Sequence, residues 1–114
     1  MTYIVTTLGE ILSQLNQHSW KSWVFTSDPQ NMNSKSRCFV IDTELAELGK
    51  DDFTPLIAEQ EGLEKFLSIH DILSVREYLK NIGFVGNSTA ELFAVQYYFD
   101  RDAYPIEADV LGRC

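Results

Sequence analysis

Two histidines are the first places in this sequence to look for acid–base chemistry. His70 is followed directly by Asp71, and a carboxylate that orients an imidazole raises its basicity. Adjacent residues on a helix point about 100° apart, however, so the spacing favours a first helical turn in which Ser68 and Asp71 form a capping box. His18 follows a predicted helix and suits the negative end of its dipole. The pattern predicts structural histidines.

Motifs for metals, nucleophiles and phosphates are absent from the sequence. It has no Cys-x-x-Cys and no His-x-x-x-His spacing, no nucleophile elbow and no Walker loop. Asp100-Arg101-Asp102 alternates carboxylates but lacks the glycine and the final glutamate of a calcium loop. We expect no catalytic residue, metal or cofactor. A small enzyme or ligand-binding regulator is the alternative, favoured if a deep pocket gathers His70 or His18 with distant carboxylates.

The strongest pattern is a concentration of acidic residues between positions 42 and 64, which we call the acidic segment. It has a formal charge of −7 out of −8 for the whole chain, with Lys50 as its single base. Clustered carboxylates repel one another and contribute little to stability in water, so we expect them to face a cationic macromolecule. The alternative is a solvated face that keeps a small protein soluble. The carboxylates are Asp42, Glu44, Glu47, Asp51, Asp52, Glu59, Glu61 and Glu64.

Aromatic residues extend the predicted binding surface. Trp20 and Trp23 would lie on opposite faces of a strand, so at least one is expected at the surface, where large amphipathic rings make good anchors. Residues 97–99 cannot all face one helical stripe, which leaves Tyr97 or its neighbour near the surface beside Asp100 and Asp102. Aromatic and acidic groups together predict a protein-binding edge.

The periodicity predicts one α+β domain over residues 1–114, with about three antiparallel strands and about three helices. Helices are expected over 8–17, from the Ser68 cap to Gly83, and from a Ser88 cap to about Arg101. Strands are expected over 20–26, 38–41 and 63–67, the last with alternating faces. The acidic segment should be an ordered surface excursion with a helical turn, anchored by apolar residues at 45, 48, 53, 56 and 57.

Charge and composition exclude several kinds of partner. Nine dispersed basic residues form no stripe for a phosphate backbone or an anionic membrane, so neither nucleic acid nor membrane is expected as a partner. No leader or membrane span is apparent, and the cysteines form no disulfide framework, which predicts a cytoplasmic protein. Cys38 is expected to be a buried hydrophobe and Cys114 a loose thiol.

Residues 67–72 (LSIHDI), 87–92 (NSTAEL) and 97–104 (YYFDRDAY) resemble a family of small acidic bacterial proteins. These are similar to the immunity proteins of contact-dependent growth inhibition and related polymorphic toxin systems. The resemblance implies a protein that binds a toxin domain, commonly a nuclease, and blocks its active site. Nucleases that act on a polyanion tend to be basic, so an acidic surface suits the same cleft and would steer rapid association. We therefore expect an immunity protein that docks on a basic toxin domain through the acidic segment.

Overall fold

Short apolar segments form an antiparallel sheet in the computed structural model, which describes residues 3–112. Its strands are β1 (Tyr3–Thr7), β2 (Trp23–Thr26), β3 (Arg37–Ile41) and β4 (Glu64–Ser68). They lie in the spatial order β1-β3-β2-β4. The apolar run in β3 lies inside the sheet, because it pairs with β1 on one side and β2 on the other. The edge strand β1 is an addition to the predicted set.

The edge strand β4 contains a β-bulge. Trp23 pairs with Ser68 and Phe25 pairs with Lys65, so one residue of β2 opposes two residues of β4. The bulge lets Phe66 and Leu67 both enter the same apolar cluster. The predicted alternation, which placed these two side chains on opposite faces, is therefore wrong.

The helices connect and cover the strands. The first predicted helix is an α-helix that ends at Ser13 and continues as a 3₁₀ turn over Leu15–Gln17. A short helix lies inside the acidic segment, as predicted, and another follows Pro105, which was not predicted. The helices are α1 (Leu8–Ser13), α2 (Leu56–Glu61), α3 (Ile69–Asn81), α4 (Ser88–Arg101) and α5 (Glu107–Leu111).

Capping side chains set the helix boundaries. The predicted box at α3 is confirmed: Asp71 N–H donates to Ser68 Oγ at 3.0 Å, and Ser68 N–H donates to Asp71 Oδ2 at 3.3 Å. Helix α4 begins one residue earlier than predicted, because the Asn87 side chain accepts from the Ala90 N–H and is the N-cap. The predicted Ser88 cap is wrong, and its expected partner Glu91 is buried.

The two faces of the sheet pack against different layers. Val24 of β2 and Val40 of β3 point into the main core, where α1, α3 and α4 cover the sheet. Phe25, Phe39 and Ile41 point to the opposite face, where they pack with residues of the acidic segment. The acidic segment is thus the thinner outer layer of a three-layer arrangement.

These observations confirm the predicted α+β class with a small antiparallel sheet. Cys38 is fully buried in the main core, also as predicted. Burial raises the pKa of its thiol to about 12. Cys114 lies outside the described residues. Within residues 3–112, every helix is too short or too polar to cross a bilayer.

Candidate functional site

The acidic segment starts with a turn that Asp42 holds. The Asp42 carbonyl accepts from the Leu45 and Ala46 N–H groups at 3.1 and 3.0 Å, and its carboxylate accepts from the Glu44 N–H at 3.1 Å. The side chain is half-buried just beyond the end of β3. Asp42 therefore stabilises local structure as well as carrying charge.

A small hairpin follows this turn. Its arms are joined by the Gly49 N–H to the Thr54 carbonyl and the Leu56 N–H to the Glu47 carbonyl, both at 2.7 Å. These two bonds form an isolated antiparallel bridge that pairs Leu48 with Pro55. The hairpin gives the segment a defined shape despite its high charge.

Two carboxylates at the hairpin tip accept internal hydrogen bonds. Asp51 accepts from the Phe53 and Thr54 N–H groups and from the Thr54 hydroxyl, at 2.6 to 3.0 Å. These bonds lower the pKa of the exposed Asp51 carboxyl to about 2. Glu59 reaches back from α2 to accept from the Lys50 N–H at 2.9 Å. Asp51 and Glu59 thus hold the tip together.

Gly49 leaves room for the Glu59 carboxylate between the tip and α2. A Cβ at this position would lie 1.9 Å from Glu59 Oε2, so any larger residue would displace that carboxylate. Below the tip, Ala46, Ile57, Ala58 and Leu63 pack on the outer face of the sheet. The packing fixes the base of the segment, and the hydrogen bonds fix its top.

Most of the predicted carboxylates remain exposed on this ordered layer. Glu47, Asp52, Glu61 and Glu64 are exposed, as are the loop-stabilising Asp51 and Glu59. Among the described residues, the ion pair that reaches the segment joins Lys21 Nζ to Glu44 Oε2 at 3.6 Å. Its side chains are 47% and 66% exposed, so it neutralises little of the segment's charge. The segment presents a largely uncompensated negative potential.

Large apolar side chains are exposed among these carboxylates. Phe53 is 85% exposed, Leu45 70% and Leu48 41%. The prediction that these three residues anchor the segment is wrong. The predicted anchor Ile57 does pack against the outer face of the sheet, together with Ala46, Ala58 and Leu63. Leu45, Leu48 and Phe53 are therefore exposed to solvent together with the carboxylates of the segment.

The predicted aromatic and acidic edge on α4 lies on the opposite side of the sheet from the acidic segment. Tyr97 is half-buried beside Phe93, and the Arg101 guanidinium lies 4.7 Å from its ring centroid. Asp100 accepts from the Gln96 amide at 3.3 Å, and Asp102 ends α4 in a left-handed conformation. Helix α4 covers the main-core face of the sheet. The structure therefore does not bring Tyr97, Asp100 and Asp102 together with the acidic segment.

A cleft of about 310 Å³ opens between the start of α3 and the acidic segment. Trp20, 59% exposed, forms an edge contact with His70 at 6.1 Å between ring centroids. Trp23 is half-buried and contributes its ring from the start of β2. This tryptophan cleft is lined by Trp20, Lys21, Trp23, Thr43, Glu44, Ser68 and His70. The prediction that one tryptophan lies at the surface is confirmed, although Trp20 precedes the strand that was expected to include it.

Each histidine has an acidic neighbour in an open cleft. His70 shares the tryptophan cleft with Glu44, and a second cleft, of about 200 Å³, contains His18 and Asp42. Burial lowers the pKa of His18, which disfavours the cation that was expected at a helix end. No group of three or more metal-ligating side chains occurs among residues 3–112.

A family model described as a domain of unknown function, DUF7716, matches residues 5–106. Neither a curated protein nor a solved structure matches the chain. Since the model spans most of the sequence, the chain belongs to the DUF7716 family.

Proposed function

We propose that this member of the DUF7716 family is a cytoplasmic immunity protein that binds a basic toxin domain and blocks its active site. The observation that carries the proposal is the mixture of exposed carboxylates with exposed Leu45, Leu48 and Phe53 on one ordered layer. Exposed carboxylates alone would be equally consistent with a solvated face that keeps the protein soluble. Outward-facing apolar side chains in the same segment favour a protein interface.

The carboxylates and the apolar side chains contribute to binding in different ways. Exposed carboxylates attract a cationic partner and raise its association rate from about 10⁵–10⁶ M⁻¹s⁻¹ towards 10⁸ M⁻¹s⁻¹ or more at low salt. Apolar side chains that become desolvated at the centre of an interface supply most of the affinity. Fast capture suits an inhibitor of a toxic enzyme, and a basic nuclease cleft is complementary to such a surface.

The order of the segment also supports a binding role. Backbone groups at the tip are held by Asp51 and Glu59, so the segment does not have to fold when the partner arrives. Preorganisation lowers the entropic penalty of association. We place the interface on the acidic segment rather than on α4, because the sheet separates the two.

Neutralisation can be tested by taking the product of the gene immediately upstream in the native host as the candidate basic toxin domain and expressing it with and without this protein. We expect co-expression to restore growth and the purified proteins to form a complex. Glu47→Lys with Glu61→Lys should weaken capture, since both side chains are exposed and neither is seen to accept a hydrogen bond in the segment. Glu77→Lys with Glu107→Lys is the control matched in charge, on the other side of the sheet.

Unrestored growth, or equal effects of the two double variants, would overturn the proposal. Charge reversal at Asp51 or Glu59 is less informative, because it would also break the hydrogen bonds that hold the tip.

A further inference from the structure

We propose that the tryptophan cleft is a binding site for one arginine side chain. The inference rests on the proposed function in one respect, namely that the arginine is presented by a basic partner protein. The cleft combines the groups that recognise an organic cation: the indole rings of Trp20 and Trp23 and the carboxylate of Glu44. It lies beside the acidic segment and continues its surface.

A cation of the chain itself already occupies this position. Lys21 Nζ lies 5.5 Å from the centroid of the Trp20 ring and 3.6 Å from Glu44 Oε2. One ammonium group thus contacts the indole face and the carboxylate together, which shows that their spacing suits a single cation. Trp23 holds a second ammonium, Lys65 Nζ, 4.2 Å from its ring centroid. Both tryptophans therefore present their faces to positive charge.

The frame that positions Trp20 is fixed by the backbone. The Ile69 N–H donates to the Ser22 carbonyl at 2.9 Å, and the His70 N–H donates to the Trp20 carbonyl at 3.2 Å. These bonds attach residues 20–22 to the first turn of α3, and the His70 ring packs against the Trp20 ring at a steep angle of 67°. The cleft is formed before a ligand enters it.

An arginine side chain of the partner would displace the Lys21 side chain from the cleft more readily than a lysine side chain of the partner would. A guanidinium is planar, stacks on an indole face and can donate two parallel hydrogen bonds to a carboxylate, whereas an ammonium is a strongly hydrated point charge. The exposed pair between Lys21 and Glu44 is weak, so an incoming guanidinium can displace Lys21 into solvent.

The probe for this site is N-acetyl-L-arginine amide, titrated into the full chain at constant ionic strength. The chain has two tryptophans and both line the cleft, so their indole N–H signals in NMR spectra report binding directly. We expect saturable shifts of both signals. The uncharged isostere N-acetyl-L-citrulline amide should bind at least about fivefold more weakly, since it lacks the cation.

Variants should change this affinity in opposite directions. Trp20→Ala and Glu44→Gln should each weaken binding of the arginine amide by about two- to fivefold, because each removes one recognition element. Lys21→Met should strengthen binding by a similar factor, since it removes the internal competitor. Lys35→Met and Glu107→Gln, changes of the same kind away from the cleft, should have no effect.

Absence of saturable shifts, equal binding of the citrulline amide, or no gain in Lys21→Met would overturn the cleft proposal. In those cases salt-sensitive capture of a toxin domain would still support the proposed function. Conversely, binding of the arginine amide without toxin neutralisation would support the cleft and overturn the proposed function.

Discussion

Replacing Arg76 with methionine should destabilise the main-core layer without disturbing the acidic face. The Arg76 guanidinium donates to both carboxylate oxygens of Glu91, one of them at 3.1 Å, and to the Leu12 carbonyl. It therefore joins α3 to α4 and to the last turn of α1, whose terminal carbonyls lack partners within the helix. The Glu91 side chain is 11% exposed and that of Arg76 is 34% exposed.

The burial of this pair sets the expected magnitude. Removing one member of a fully buried ion pair costs about 3–5 kcal/mol, because the remaining charge has lost its partner. Since a third of the Arg76 side chain is in contact with solvent, we expect Arg76→Met to lower the free energy of unfolding by about 2–3 kcal/mol. Glu91→Leu should act in the same direction, and the double variant should cost less than the sum by about 1–2 kcal/mol.

Urea denaturation of the four proteins measures this coupling, with unchanged m-values as the check for two-state behaviour. Coupling below about 0.5 kcal/mol would refute the argument that the pair acts as a unit. Below its unfolding transition, Arg76→Met should retain partner capture, because the pair lies on the opposite side of the sheet from the acidic segment.

Three further predictions test other parts of the molecule. Asn87→Ala should cost about 1 kcal/mol in unfolding experiments while Ser88→Ala costs little, since Asn87 supplies the cap of α4; the reverse order would contradict that assignment. Because the pKa of Asp51 is lowered to about 2, its hydrogen bonds stabilise the loop above pH 4 and are lost as the pH falls towards 2. An NMR titration of the carboxyl with a midpoint near pH 4 would contradict this. In a Cys114→Ser background, the Cys38 thiol should resist Ellman's reagent at pH 8 until the protein is unfolded, because burial raises its pKa to about 12.

The sequence allowed prediction of the elements whose signals are local. The Ser68 and Asp71 cap, the apolar run of β3 and the left-handed Gly83 that follows the C-cap of α3 are set by neighbouring residues. Strand β1 was missed, although residues 3–7 are aromatic or β-branched, as is typical of strands. The apolar residues Ile4 and Val5 are consecutive and both are exposed at the sheet edge. The strand therefore does not show the alternation of apolar and polar residues that marks a half-buried strand.

The candidate site was only partly predictable because its details depend on contacts between distant residues. The acid of residues 42–64 was visible as composition, but the hydrogen bond from the Lys50 N–H to Glu59 and the outward position of Phe53 result from folding. The tryptophan cleft joins Trp20 to His70, fifty positions away in the chain. No short-range pattern contains that pairing.

The most direct test of the central claim is the association rate constant between this protein and the toxin domain that we propose as its partner, measured by stopped flow across a range of ionic strength. An interface on the acidic segment predicts a rate near 10⁸ M⁻¹s⁻¹ at low salt that falls steeply as salt is added, with a shallower slope for Glu47→Lys with Glu61→Lys. A rate that is independent of salt, or a slope that the double variant leaves unchanged, would contradict the claim.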